Sequence, residues 1–565
     1  MEEEKKLTGY PSIDKPWLKY YSKEAIEAPL PEMTMYQYIW ENNKDYLDDV
    51  ALRYYGTHIT YRKLFENIRK AASAFYSLGV RKGDIVTIMS MHAPECIYSI
   101  YGLNYIGATA NMVYMTLSEK EILDTLSNTE SKLLLVLDPV LDKINNIKDK
   151  VGIPIIVLCV SDSMPLYMKI GYRLKTKAGK HSFLTYSQFL SKGNDEPVLS
   201  DDHAAAAVIV YTSGTTGEPK GVVLSSDNVN AIAFQDQCAE FCFQRKKYFL
   251  NMLPPFLGFG IAMLHLSISS GIECGLWMNL DPKHVAKEFM KEKPEYFVTG
   301  PAFVEEIINQ KPEPLKNIIY FGGGGGALTD EIEKSMNEFL KRCGSNTIYA
   351  NGYGMTETAA TLCATCNTIY KSHSIGIPLP KTNVKILDTE NNQELPYNQI
   401  GEMCFDSPNL MRGYFRDDDS TKEVVFVDEL NNRWIRTGDL GCVDEDGFVY
   451  IKGRIKRIYI TRGKDGTAYK LFPQRIEENI ESINEVEKCA VIVKEDRIKM
   501  HVAIAFVSIK DKITSPESLI EAIKEKLVAD LPEHMQPENV YIVDQIPITP
   551  SGKVDYIKLE DKLVK

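Results

Sequence analysis

Residues 211–221 read YTSGTTGEPKG, directly after the apolar run AAAAVIVY at 204–211. The glycines let the backbone approach a ligand closely. The hydroxyls of Thr212, Ser213, Thr215 and Thr216 and the neighbouring N–H groups can donate to anionic oxygens, and Lys220 adds a compact positive charge. The spacing is not that of a P-loop, which requires G-x-x-x-x-G-K-[ST]. Here Gly217 stands three residues before the lysine, Pro219 intervenes, and Gly221 follows where a P-loop has Ser or Thr. Read alone, the stretch admits two readings: a turn between two elements, or a loop that grips phosphate.

Outward from this loop the pattern alternates helix and strand. TYRKLFENIRKAASAFYSLGV sets Leu64, Ile68, Ala71, Ala72 and Phe75 at helical spacing, and Gly79 ends that helix. DIVTIMSM follows as a short buried strand, and SEKEILDTLSNTE, helix-like, precedes the strand KLLLVLD. This is an α/β chain with largely parallel strands, in which ligands sit beyond the strand C-termini. After about residue 380, KTNVKILDTENNQELPYNQIGEMCFDS has short strands separated by turn residues, the texture of a β-rich subdomain. Beyond GRIKR at 453–457 a new unit begins, with VEKCAVIVKED and KMHVAIAFVSI as paired strands. SPESLIEAIKEKLVADLP then predicts a helix with Ser515 as N-cap, Pro516 in the first turn, and Leu519, Ile523 and Leu527 inward. The expected organisation is a large domain over 1–455 and a small α+β domain over 456–565.

A chain of 565 residues is too long for one core. Its net charge of −12, with no long basic stretch, argues against a nucleic-acid partner. The charged start MEEEKKLTGY lacks the apolar core of a signal peptide. Eleven cysteines scattered without pattern fit reduced thiols in a cytoplasmic enzyme; the lone CATC at 363–366 has no second pair to complete a metal site. Residues 252–272 carry no formal charge over a membrane-spanning length, but prolines, glycines and serines interrupt them, which predicts a buried core segment. SMPLYMKIGYRLKTKAGK at 163–180 has five basic and no acidic residues with apolar side chains between them. It reads as a solvated basic face or as a patch for anionic lipid headgroups or another anionic ligand.

Further motifs follow in order. FGGGGGAL at 321–328 offers either a flexible loop or bare backbone on which a flat ligand can lie. In NGYGMTET at 351–358, Tyr353 can stack on a purine, Thr356 can bond phosphate and Glu357 can hold Mg²⁺; a plain strand-end turn is equally compatible. Asp439 in WIRTGDL can accept from both ribose hydroxyls or stabilise its own turn. Lys553 sits in the Pro/Ser/Gly loop PITPSGK, where a solvated lysine is the ordinary expectation.

Taken together and in this order, the motifs resemble those of the adenylate-forming superfamily: acyl-CoA synthetases, peptide-synthetase adenylation domains and luciferases. The resemblance covers nearly the whole chain and is carried most specifically by YTSGTTGEPKG, GYGMTE, TGDL and the terminal SGK. It implies a fold of α/β subdomains plus a β-rich subdomain, followed by a mobile C-terminal domain. It also implies two half-reactions: a carboxylate attacks the α-phosphate of ATP to give an acyl-adenylate and pyrophosphate, and a thiol then displaces AMP. On this resemblance Thr212, Ser213, Gly214, Thr215, Thr216, Gly217 and Lys220 hold the β- and γ-phosphates. Gly324, Gly325, Gly326 and Gly354 border the nucleotide, Tyr353 stacks on adenine, and Asp439 and Arg454 take the ribose hydroxyls. Thr356 stands near the α-phosphate, Glu357 binds Mg²⁺, Lys553 bridges carboxylate and phosphate, and Lys456 is the hinge. Phe256, Phe259, Gly300 and Phe303 line the acyl pocket, which suits a fatty or aryl acid, and no residue offers itself as partner for a substrate α-amino group, which disfavours amino acids. The acceptor is coenzyme A, with a carrier-protein thiol as the alternative. Leu257 replaces a common histidine, about five residues (464–468) read as an insertion after the hinge, and Tyr556 stands where arginine is frequent.

Overall fold

A computed structural model describes residues 7–176, 181–212, 219–239, 241, 243–324, 330–457, 459–462, 468–497, 499–510, 516–548 and 554–563. Of the candidates named above, Ser213, Gly214, Thr215, Thr216, Gly217, Gly325, Gly326 and Lys553, and the expected N-cap Ser515, lie outside these residues.

Two large sheets dominate the N-terminal part. One is eight-stranded among the described residues, with Ala206–Tyr211 between Thr109–Met112, its parallel neighbour, and Gly221–Ser225, its antiparallel one. The parallel run continues through Ile85–Met89, Leu133–Leu137 and Ile155–Leu158, strands buried along almost their whole length. That explains their continuous apolar sequences: helices cover both faces, so neither needs polar alternation. The second sheet is nine-stranded among the described residues, and its centre runs parallel through Tyr248–Asn251, Tyr296–Thr299, Tyr320–Gly323 and Tyr349–Met355. The helix Tyr61–Ser77 forms as its spacing predicts, with Thr60 accepting from the Lys63 N–H as N-cap and Gly79 at φ 89° just past its end. Leu64, Ile68 and Phe75 are fully buried on its inner face, each contributing about 1.5–3 kcal/mol of transfer free energy.

The segment 252–272 is core. Its helix Gly258–Ser269 is buried on nearly every side, and no helix of the described residues is long and apolar enough to cross a membrane. The β-rich unit appears as Asn383–Leu387, Gly401–Asp406 and Arg433–Val443 in one antiparallel sheet. The C-terminal unit pairs Val486–Asp496 with Met500–Ile509 and packs the helix Pro516–Asp530 on them through Leu519, Ile523 and Leu527. These side chains share a separate hydrophobic core with Ile476, Ile480 and Val491.

Candidate active site

The strand Ala206–Tyr211 delivers the chain to the mouth of the Gly/Thr loop, where the two ends are tied together. The Thr212 N–H donates to the Lys220 carbonyl (3.1 Å) and the Lys220 N–H donates to Thr212 Oγ1 (3.3 Å). The Lys220 ammonium donates to Ser420 Oγ (2.6 Å) and lies 5.1 Å from the centre of the Tyr414 ring. The Tyr414 hydroxyl in turn donates to Glu357 Oε1 (2.8 Å). Burial and the adjacent Glu357 charge push the Tyr414 hydroxyl far up, so it remains a donor throughout the physiological range. Tyr414 thus stands between the cation and the carboxylate. Its short strand Gly413–Tyr414 pairs with Gly221–Ser225 across nearly two hundred residues, a relation with no local signal in the sequence.

Glu357 follows the strand Tyr349–Met355 in a single tight turn, Thr356–Thr358, held by the Met355 N–H donating to Thr358 Oγ1 (3.0 Å). The next two residues, Ala359 and Ala360, have φ of 49° and 134°, strained values for side-chain-bearing residues of the kind that cluster at functional sites. Only glycine fits at 354, where a Cβ would lie 1.4 Å from the Ala360 carbonyl oxygen, and at 323, where it would lie 1.5 Å from Tyr349 Oη. Glu357 is buried, and no described residue bonds its Oε2. The described residues hold no cluster of three or more His, Cys, Asp or Glu. One carboxylate with a free oxygen fits Mg²⁺ bound mainly through substrate phosphates, not in an all-protein cage. Cys363 and Cys366 are buried free thiols.

Asp439 and Arg454 face each other across the antiparallel pair Arg433–Val443 and Val449–Arg454. Arg454 Nε donates to Asp439 Oδ1 and the Tyr353 hydroxyl donates to Asp439 Oδ2, both at 2.7 Å. The three residues, read separately from three stretches, therefore form one cluster. Each carboxylate oxygen keeps a second lone-pair site for a hydroxyl donor.

Beneath this rim opens a cavity of about 190 Å³. Gly324, Gly352, Tyr353, Gly354 and Thr356 form one part of its wall; Tyr114, Phe241, Phe243, Phe249, Tyr296 and Tyr320 form another. Of the four positions expected to line an acyl pocket, Phe259 is a wall residue of this cavity. Phe256, Gly300 and Phe303 are not among the walls. Phe256 packs on the Tyr114 ring, centroids 4.9 Å apart, so it backs the wall without reaching the cavity. Phe303 packs against the separate cluster around Phe289 and Phe297, and Gly300 serves as N-cap of the helix Pro301–Ile308. Leu257 is a wall residue, as is Asp236 of the helix Ser226–Cys238, which the sequence reading did not single out.

At the expected hinge the backbone makes a short turn, Ile455–Arg457, between two anchored guanidinium groups. Arg454 is held by Asp439; Arg457 donates to both Glu477 oxygens (2.9 and 2.8 Å), to the Val491 carbonyl and to the Tyr556 hydroxyl. Tyr556, where arginine is frequent, is therefore part of the anchor on the C-terminal side. Lys456 lies between the two. The strand Ala468–Leu471 begins at the last residue of the apparent insertion, and 464–467 lie outside the described residues.

The sequence profile of the family described as AMP-binding enzyme matches residues 39–415, and that of the AMP-binding enzyme C-terminal domain matches 475–553. The long-chain-fatty-acid–CoA ligase of Bacillus subtilis (strain 168) is 27% identical over 96% of this chain and 96% of its own. The 4-coumarate–CoA ligase 4 of Arabidopsis thaliana is 27% identical over 90% of this chain and 87% of its own. Among solved structures, ATP-bound MatB from Rhodopseudomonas palustris superposes with a TM-score of 0.79 at 22% identity, over 94% of this chain and 99% of that one, a likeness of fold.

Proposed function

This chain belongs to the AMP-binding, adenylate-forming enzyme family, and from that premise we propose that it activates a hydrophobic carboxylic acid, fatty or aryl, with ATP and transfers the acyl group to the thiol of coenzyme A. One observation carries the reading beyond the family match: the Tyr353–Gly354–Thr356 stretch and a set of aromatic side chains wall the same cavity. An acid seated among the rings would present its carboxylate toward the nucleotide-binding motif. That is the arrangement acyl-adenylate formation needs.

The obstacle in the first half-reaction is one anion attacking another. Lys220 and Arg454, with Lys553 brought in from the C-terminal unit, supply fixed positive charge around the reacting groups, and such preorganised charge acts where negative charge builds up. Mg²⁺ on Glu357, when bound, would neutralise phosphate charge. Tyr414 holds the Glu357 carboxylate in place and lies against Lys220. Asp439 would orient the ribose while Tyr353 and Arg454 orient Asp439. The turn between Arg454 and Arg457, each fixed to its own side, is where rotation of the C-terminal unit would withdraw Lys553 before the thiol step. Domains of 1–455 and 456–565 follow from that hinge.

The testing experiment is pyrophosphate release from ATP and Mg²⁺ over short, medium, long-chain and aryl acids, with and without coenzyme A. Acid-dependent release that turns over with coenzyme A is expected. A burst that coenzyme A does not relieve would replace it with a carrier-protein thiol, and silence with every acid would overturn the reading.

A lipid surface is the second partner we propose. The helix Leu166–Lys175 buries no residue, and Leu166, Tyr167, Ile170 and Leu174 are 73%, 75%, 52% and 82% exposed. At 100° per residue these four fall within one arc, with Lys169 and Arg173 at its edge. Reversing the charges of Lys169, Arg173 and Lys175 should abolish co-sedimentation with anionic vesicles; unchanged sedimentation would retire the idea.

A further inference from the structure

The cavity wall contains a carboxyl group that the fold leaves unused. Asp236 is 3% exposed, and no described residue gives it a hydrogen bond or an ion pair. Every other buried carboxylate among the described residues, from Glu95 to Glu477, accepts at least one hydrogen bond. Its neighbour Gln235 is equally buried, yet its amide nitrogen donates to Pro380, Thr382 and Ser407, which leaves only its Oε1 without a partner among the described residues. A buried polar group without a partner is destabilising, and native structures keep few of them without a function. Burial alone raises the Asp236 pKa to about 8, so in the free enzyme at neutral pH the group is mostly the neutral acid.

Its surroundings show what it lacks. Phe241, Phe243, Phe249, Tyr296 and Tyr320 line the same cavity, and the first two pack on Tyr320 with ring centroids 5.1 and 6.2 Å away. Of the other polar wall groups, the Tyr114 hydroxyl donates to the Tyr211 carbonyl, the Tyr211 hydroxyl to Asn111, and Ser267 to the Met263 carbonyl, while the Tyr320 hydroxyl, like Asp236, has no hydrogen bond from a described residue. A methyl-ended chain pushed into this space would give neither Asp236 nor the Tyr320 hydroxyl a partner.

We propose that Asp236 reads the far end of the acyl group, and that the acid activated here ends in a hydrogen-bond donor, a hydroxyl or an amine. The inference rests on the acid-activating reading above and narrows it. A hydroxyl would exchange hydrogen bonds with the neutral carboxyl. An amine would take its proton, giving an ion pair walled by aromatic rings. Sites built to bond a substrate OH or NH reject analogues that lack it much more strongly than apolar pockets reject one methylene.

The test is kcat/KM for acid-dependent pyrophosphate release with matched sets: alkanoates of six to twelve carbons against their ω-hydroxy and ω-amino counterparts, and 3-(4-methylphenyl)propanoate against the 4-hydroxy and 4-aminomethyl acids. The best donor-ended acid should exceed its methyl-ended match by roughly tenfold or more, and Asp236→Leu should erase or reverse that ratio. Asp236→Asn, nearly isosteric, should keep much of a hydroxyl preference but lose an amine preference, which separates the two donors. A wild-type enzyme that favours methyl ends, or a ratio unmoved by both substitutions, would overturn the inference and leave acid activation intact. No release with any acid would overturn both.

Discussion

The two ends of the cavity are built in opposite ways. The end walled by the Gly/Tyr motif, proposed for the nucleotide, is built mostly from short stretches, 352–357, 436–440, Arg454 and the ties at 212 and 220, with Tyr414 brought in from a distant strand. Its side chains bond one another, Tyr353 to Asp439 to Arg454 and Tyr414 to Glu357. The aromatic end, proposed for the acyl group, draws single residues from distant strands and helices, Tyr114, Asp236, Phe249, Tyr296 and Tyr320 among them, and its buried carboxyl bonds no described residue. Fixed chemistry needs a rigid, self-satisfied frame, whereas recognition needs groups whose partner is the ligand. If this contrast holds, damage at the first end should impair ATP use with every acid alike, and damage at the second should change which acid is used.

The largest effect is expected farthest from the cavity in sequence. Lys553→Ala should lower acyl-adenylate formation by roughly 10²–10³-fold, the scale for loss of one preorganised group facing developing charge. Acyl transfer from a supplied acyl-adenylate to coenzyme A should persist. Single-turnover assays of the two half-reactions check this, and equal loss in both would remove the assignment.

Next comes the cluster on Asp439. Asp439→Ala strands the Arg454 guanidinium and the Tyr353 hydroxyl together, each of which now bonds it at 2.7 Å. KM for ATP should rise roughly tenfold or more, the scale for a lost hydrogen bond to a charged group. The ranking of acids should stay as in the wild type. A change in that ranking would break the division between the two ends.

The same division explains what was legible beforehand. Parallel strands such as Leu133–Leu137 are continuous apolar runs because both faces are covered, and the helix Tyr61–Ser77 announces itself through period and cap, so the α/β architecture could be read from the chain. Glu357, Asp439 and Arg454 could be singled out because each sits in a short motif whose neighbours are fixed by sterics, as Gly354 is by the Ala360 carbonyl. Asp236 could not: in AFQDQC it looks like any polar residue of a helix, and only the tertiary packing that sets it in one wall with Phe249, Tyr296 and Tyr320 removes it from water. Phe256 and Phe303, absent from this cavity's walls, show the converse. An aromatic beside the cavity is not an aromatic in it, and one side chain's turn toward Tyr114 or toward the Phe289 cluster is a tertiary fact.

The smallest effect should come from Tyr414, the residue joining the loop lysine to the carboxylate. Tyr414→Phe keeps the ring beside Lys220 and removes only the donor to Glu357 Oε1. A hydrogen bond to a charged acceptor contributes about 1.5–3 kcal/mol, but the vacated oxygen can be taken up by water or Mg²⁺, so the net loss should be smaller. We expect a drop of roughly three- to tenfold in kcat/KM for ATP at limiting Mg²⁺, shrinking as Mg²⁺ is raised. A loss that saturating Mg²⁺ leaves unchanged would mean that the Tyr414 hydroxyl positions the Glu357 turn itself and does not merely share its carboxylate with the ion, because the ring contact with Lys220 is the same in both proteins.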